Sequence, residues 1–489
     1  MKTKIIGSYV VGYENGDHVI YRDGEVIYEK DKILSVGKRT DQPADELIDA
    51  TGHIVSPGFI DLDALVDFDH GILDVVVNPD EKKGFHMNAD RFRTRDYLSR
   101  EDNQLKSRLS FAQLIRNGIT TGMPIAGDGL RSWAETYEEM ADNVQIAKEI
   151  GIRMYLGPSY RTYPSGEHRM SSDERGARSF AEALRFIENF EQKDGLIRTF
   201  LSPCQLLNLS EDVLLETFRI SKSSGIPVRL HAGESRPELL YLKEKFGKTP
   251  VEYLASIDAL RQGTILPHVL YTRPNILPDM EKGDYDDELR ILAQSGVTVM
   301  HAPIAESHGG MALYTLGRYL GAGVHMAFGT DTHPADMIQN MNFAWNLTRI
   351  LDCGEMIPKR ARWSYQVNEA DVYRMATLGG AYALGREDLG RLCAGAKADI
   401  ITVDLTGIRT VPVEDPIRTL VMNTTGADVK NVVIDGRQVL KNGVIPGMDW
   451  EKLRPQAQRG FDKFRSSYSW FDKNETSDDE LFPSGFPIK

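Results

Sequence analysis

A chain of 489 residues can hold a barrel of about 250 residues and a smaller domain besides. Hydrophobic content of 41% and charged content of 26% are those of a globular protein, and no apolar run approaches the ~20 residues that cross a bilayer. A net charge of −13 argues against nucleic acid as a partner, because phosphate binding needs clustered Lys and Arg.

The first residues, Met1-Lys2-Thr3-Lys4-Ile5-Ile6, turn polar too soon for a signal peptide. Cys204, Cys353 and Cys393 lack CxxC spacing and read as reduced thiols of a cytoplasmic protein. Residues 1–56 alternate short β-type runs with turns at Glu14-Asn15-Gly16-Asp17 and Arg22-Asp23-Gly24, where Asn and Gly supply the positive φ of hairpins. This unit cannot bury a core alone. Its expected partner is 386–445, where Ile400-Ile401-Thr402-Val403 and 432–440 repeat the β pattern around an Asp435-Gly436 turn.

From residue 54 the pattern becomes strand then helix, repeated. Strands are expected at 54–61, 118–121, 152–157, 197–201, 228–231, 264–267, 297–300 and 324–328. Helices are expected near 98–117, 131–150, 173–192, 210–224, 236–247, 285–295 and 311–321, with Ser210 capping one of them. Such alternation predicts a parallel sheet, here a (β/α)8 barrel spanning 57–385, with 1–56 and 386–445 forming a composite β-sandwich domain. The aromatic-rich 446–489 reads as an arm packed on the barrel or on a neighbouring subunit, and a homo-oligomer is expected.

Three of the strands end in polar residues of one kind. Val228-Arg229-Leu230 runs into His231 and then Glu234, Thr264-Ile265-Leu266-Pro267 into His268, and 324–328 into Gly329-Thr330-Asp331. In a parallel barrel the C-terminal strand ends converge on one face, so two imidazoles and a carboxylate there suggest one metal site.

With Pro57-Gly58-Phe59-Ile60-Asp61, Asn117-Gly118-Ile119-Thr120-Thr121, His231-Ala232-Gly233-Glu234, His268 and Gly329-Thr330-Asp331 in that order, the chain resembles the amidohydrolase superfamily. The likeness is to its branch of cyclic-amidine deaminases and triazine chlorohydrolases. Two departures stand out. The first strand of that family continues as His-x-His, where this chain has Asp63 and Leu65. This altered pair is also like that of some phenylurea and carbamate hydrolases. The deaminase Pro-x-Ser-Asn of strand seven is replaced within His301-Ala302-Pro303-Ile304-Ala305-Glu306-Ser307-His308, implying a different substrate pocket.

The resemblance implies one divalent ion, zinc ahead of manganese or cobalt, held by His231, His268 and Asp331 with Asp63 as a fourth ligand. His268 could instead polarise the water. Asp331 would act as general base, Glu234 as proton shuttle and His301 as donor to the substrate carbonyl. Leu65, Glu306 and His308 would line the substrate pocket. His70, His86 and His333 read as loop histidines near the same face.

The expected function is metal-dependent hydrolysis of a non-peptide C–N bond (amide, urea, carbamate or cyclic amidine) in a small molecule by a metal-activated water. The alternatives are an aminohydrolase of a heterocycle, or a metal-free barrel relative that only binds.

Overall fold

The structure, a computed structural model, describes residues 1–68, 97–125, 133–162, 174–192, 194–276, 287–313, 315–353 and 365–488. His70 and His86 lie outside the described residues. Both chain ends meet in one seven-stranded sheet, in the order Arg437–Leu440, Val429–Ile434, Ile400–Asp404, Glu46–Pro57, Lys2–Glu14, Asp17–Glu29, Lys32–Lys38. Lys2–Glu14 and Asp17–Glu29 form an antiparallel hairpin closed by Asn15 and Gly16, both at positive φ. Ile5, Val10, Val26 and Val55 from the N-terminal end pack with Leu392, Ile400 and Val433 from the C-terminal end, so the two segments share one apolar core.

The expected first barrel strand at 54–61 is in fact two strands. Glu46–Pro57 belongs to the seven-stranded sheet, and Phe59–Ala64 opens a parallel set. The chain changes layer at Gly58, where a Cβ would stand 2.1 Å from the Thr120 side chain. Only glycine fits that approach.

Eight of the parallel strands form two four-stranded sheets, and Ser159–Tyr160 pairs separately with Ser202–Pro203. One four-stranded sheet contains Phe59–Ala64, Ile119–Pro124, Arg153–Leu156 and Ile197–Thr199; the other contains Val228–Arg229, Thr264–Pro267, Thr298–His301 and His325–Phe328. A parallel bridge between Leu201 and Val228 links them on one side. On the other, the Asp331 N–H donates to Asp63 O at 2.8 Å. Helices between strands cover the outside, as expected for an α/β fold. Arg100–Arg116 begins with a Ser99/Asp102 capping box, and Tyr137–Ile150 begins with one from Thr136 and Glu139 and ends at left-handed Gly151. Ser210 occupies the N-cap of Glu211–Ser224, but its side chain makes no capping bond. The helix expected over 311–321 is confined to Leu316–Gly321, with a separate Pro303–His308 before it.

A buried ion pair ties the two layers together. Arg153, fully buried on its strand, donates through Nε and Nη2 to Asp399 at 3.0 and 3.1 Å and through Nη2 to Asp435 at 2.9 Å. Removing either partner would strand a buried charge. The C-terminal arm packs on its own chain: Phe464, Tyr468 and Phe471 cluster with Phe68, and Leu105 and Leu109 of Arg100–Arg116 lie against them. No described helix is long and apolar enough to cross a membrane.

His18 gives the sheet a pH dependence. Its Nε2 lies 3.0 Å from Thr377 Oγ1, and its ring meets Tyr373 edge-on at 5.1 Å. Burial pushes its pKa down to about 4, although Asp17 pulls the other way. The unfolded chain therefore binds a proton that the folded one refuses between about pH 6.5 and 4. Stability rises with pH through that window and falls as pH drops, by on the order of 3 kcal/mol in full. We predict that His18→Gln flattens this dependence. Equal losses of urea-midpoint stability between pH 7 and pH 4.5 in variant and wild type would contradict it.

Candidate active site

Alternate residues of a strand share a face, so Asp61 and Asp63 point to the same side of Phe59–Ala64. Asp61 ties its strand to the eighth: it accepts from Thr330 N at 2.9 Å, Thr330 Oγ1 at 2.6 Å and Asp63 N at 3.0 Å. Burial raises its pKa to about 6. Gly329 is needed beside it, because a Cβ there would stand 2.6 Å from Asp63 Cβ. His268, Val269 and Asp331 have φ of 69°, 48° and 48°. Left-handed backbone at non-glycine residues costs on the order of 1–3 kcal/mol each and clusters at functional sites. The strain here falls at two of the strand ends that deliver polar side chains.

Those ends bring Asp63, His231 and His268 together, with one ligand atom from each all within 4.8 Å of one another. All three are buried. His231 Nδ1 lies 3.1 Å from the Cys204 carbonyl. A carbonyl can only accept, so Nδ1 carries the hydrogen, and in the neutral ring Nε2 has the lone pair. That Nε2 is 3.3 Å from Asp63 Oδ2. His268 has the same arrangement, with Nδ1 3.3 Å from Glu306 Oε1 and Nε2 3.6 Å from Asp331 Oδ2. Glu306 also holds His301, whose Nδ1 lies 3.0 Å from Oε2, and accepts from Ala302 N at 3.1 Å.

The charges reinforce this geometry. Burial alone would raise Asp63, but Arg229 and His231 hold its carboxyl below the usual range. Burial likewise opposes protonation of His231, and the Asp63 charge overrules it. In His268 burial is outweighed by the Glu306 hydrogen bond and by the Glu234 and Asp331 charges, which raise it to about 10. Glu306 is driven the other way: His301 and His268 overcome its desolvation and keep it ionised. Asp331 is raised to about 8, first by burial and then by the Asp63 charge.

This donor set fits a divalent ion. It offers two imidazole nitrogens oriented by bonds at their far sides and a carboxylate oxygen 3.3 Å from one of them. Sequence reasoning put Asp331 in the central trio and Asp63 fourth. The structure converges Asp63, His231 and His268, with Asp331 alongside.

The other expected residues are distributed unevenly. Glu234 follows His231 and accepts from Gln205 Nε2 at 3.3 Å. Arg229, five residues before it, pairs with Asp63. Leu65 is half-buried just past the first parallel strand. His301 is fully buried, and its Nε2 has no hydrogen-bond partner among the described residues. Glu306, expected to contact substrate, is 1% exposed and is held by two histidines and a backbone amide, so its observed partners are protein groups. His308 is exposed at the end of Pro303–His308 and is not among the converging residues. His333 is anchored to Gln113 Oε1 at 2.8 Å and Asp67 O at 2.7 Å. The i, i+2 spacing places Arg229 on the strand face of His231, but only as a neighbour of Glu234; its pairing with Asp63 has no sequence signal.

Residues 54–439 match the Amidohydrolase family. A 5-methylthioadenosine/S-adenosylhomocysteine deaminase of Thermococcus sibiricus is 28% identical, with 87% of this chain and 93% of that protein covered. A 5'-deoxyadenosine deaminase of Methanosarcina mazei is 25% identical, with 90% and 93% covered. Among solved structures, an adenosine deaminase from Xanthomonas campestris with bound zinc superposes with a TM-score of 0.76 at 20% identity, covering 95% of this chain and 98% of that one. A zinc complex of atrazine chlorohydrolase from Arthrobacter aurescens gives 0.75 at 21% identity, covering 94% and 99%. At these identities the structures speak to the fold alone, a TIM-barrel-like α/β body with an extra domain.

Proposed function

The chain belongs to the amidohydrolase family and is a hydrolase of non-peptide C–N bonds, and from that premise we propose that it is a zinc-dependent aminohydrolase releasing ammonia from an amidine carbon of an aminated heterocycle. The observation that carries the reading is the convergence of Asp63, His231 and His268, with Asp331 Oδ2 3.6 Å from His268 Nε2. The deaminase relatives cover nearly the whole chain and point to a nucleoside-like substrate. In this reading the two parallel sheets close into one (β/α)8 barrel over 57–385. Residues 1–56 and 386–445 make the β domain, and 446–489 the arm.

His231 Nε2, His268 Nε2 and one oxygen of Asp63 would hold the ion. When bound, it supplies Lewis acidity that makes a water acidic near neutral pH. The chain's residues do the rest. Burial and the Asp63 charge raise the Asp331 carboxyl to about 8, which makes it a better proton acceptor than an ordinary aspartate. It then takes the proton of the attacking water, and Glu234 passes a proton to the leaving nitrogen. His301 Nε2 offers a polar contact to the substrate, and Leu65 an apolar wall. Glu306 acts through the imidazoles it orients and makes no substrate contact.

A second reading, cleavage of an amide, urea or carbamate with release of an amine, is favoured by Leu65. An apolar residue there suits an alkyl or aryl substituent better than a polar purine. The two are separated by incubating the zinc-loaded protein with 5'-deoxyadenosine, methylthioadenosine, aryl ureas and aryl carbamates. Ammonia from the nucleosides is expected; amine release from ureas or carbamates, without ammonia, would establish the second. A metal-free binding protein would turn over none of them.

A further inference from the structure

A buried carboxylate needs a counter-cation, and Asp63 has one within the protein. Arg229 is 1% exposed and sits two residues before His231. Its Nη1 lies 2.8 Å from Asp63 Oδ1 and donates to the Leu62 and Met123 carbonyls, each at 3.3 Å. The Phe200 ring lies 5.0 Å from the guanidinium carbon, in cation–π range. The guanidinium is therefore fixed on several sides, and Oδ1 is fixed with it. Asp63 Oδ2 lies 3.3 Å from His231 Nε2.

We propose that Arg229 is a positioning residue of the metal site: it is the permanent countercharge that lets a carboxylate stand at the first-strand position, pairing with Oδ1 while Oδ2 faces the His231 imidazole. The proposal deepens the metal-dependent reading and rests on it. Two consequences follow from charge alone. The metal-free protein is balanced at this point, so its fold does not depend on an ion there. A fixed cation also repels a divalent one, so the ion binds less tightly than it would beside an uncompensated carboxylate.

The test uses the full chain, stripped with chelator and titrated with zinc, as wild type, Arg229→Met, Arg229→Lys and the Asp63→Asn/Arg229→Met pair. Arg229→Met should melt several degrees below wild type when stripped, because it isolates a buried anion. Zinc should then raise its Tm by more than it raises the wild type's, with Kd tightened roughly tenfold, the equivalent of about 1.4 kcal/mol. Arg229→Lys should move both readouts back toward wild type. The double variant, which removes both charges, should melt above Arg229→Met when stripped and gain little from zinc. Equal zinc-induced shifts in wild type and Arg229→Met would overturn the proposal, as would a double variant no more stable than the single one. If Arg229→Met does not fold, the lysine and double variants carry the same comparison. If no variant, wild type included, binds zinc, the metal reading fails; the stripped melting temperatures still decide whether Arg229 balances Asp63.

Discussion

Replacing His231 with alanine is expected to abolish turnover and leave the protein with far less than one equivalent of zinc. Asp63, His231 and His268 are the converging donors, and two donors rarely hold a catalytic ion. The imidazole also contacts Asp63 Oδ2 at 3.3 Å, so its loss removes an orienting partner from the second ligand. Turnover should fall by roughly a thousandfold or more, about 4 kcal/mol of transition-state stabilisation. The measurement is metal content by elemental analysis beside kcat. His308→Ala, at an exposed histidine outside the converging donors, serves as the metal control and should keep its zinc. Full zinc occupancy in His231→Ala would place the ion elsewhere.

Glu306→Gln should lower turnover by roughly 10–100-fold, although Glu306 touches no substrate in the proposed mechanism. One carboxylate orients both His268 and His301, and an amide offers a single acceptor oxygen without charge. A second readout tests the electrostatics. In the metal-free protein His268 has its pKa raised to about 10 against an ordinary 6.5. The stability this contributes is complete below pH 6.5 and is lost as pH climbs toward 10. An ion needs Nε2 without its proton, so zinc uptake by the wild type at pH 8 should release protons. Glu306→Gln should release fewer, and its metal-free stability should vary less between pH 6.5 and 10. Unchanged turnover together with unchanged proton release would show that Glu306 is only a packing residue.

Much of the site was legible because its signals are local. His231 and His268 each follow an apolar run that ends abruptly, and Asp331 follows a Gly-Thr pair that leaves a strand. Glu306 stands out for its place just after strand seven, but its partners do not. His268 lies 38 residues away in sequence, and nothing near Glu306 says that one carboxylate will meet two imidazoles. Arg229 shows the same limit: its strand face could be read, but its pairing with Asp63 could not. The strand expected over 54–61 is divided at Pro57-Gly58, a local turn signal, although which sheet each half joins is a tertiary matter.

By itself the sequence determined the element types, the order His, His, Asp along the chain and the β character of both chain ends. These follow from periodicity and turn chemistry, which act over a few residues. Tertiary structure alone decided that Asp63, ahead of Asp331, converges with the two imidazoles, that Arg229 neutralises it, that Glu306 supports the imidazoles and that His308 is exposed. Each of these depends on which atoms from distant strands come within 3 to 4 Å. Sheet register and curvature fix those distances, and burial then sets the charges, because a carboxylate removed from water must find its partner in the protein.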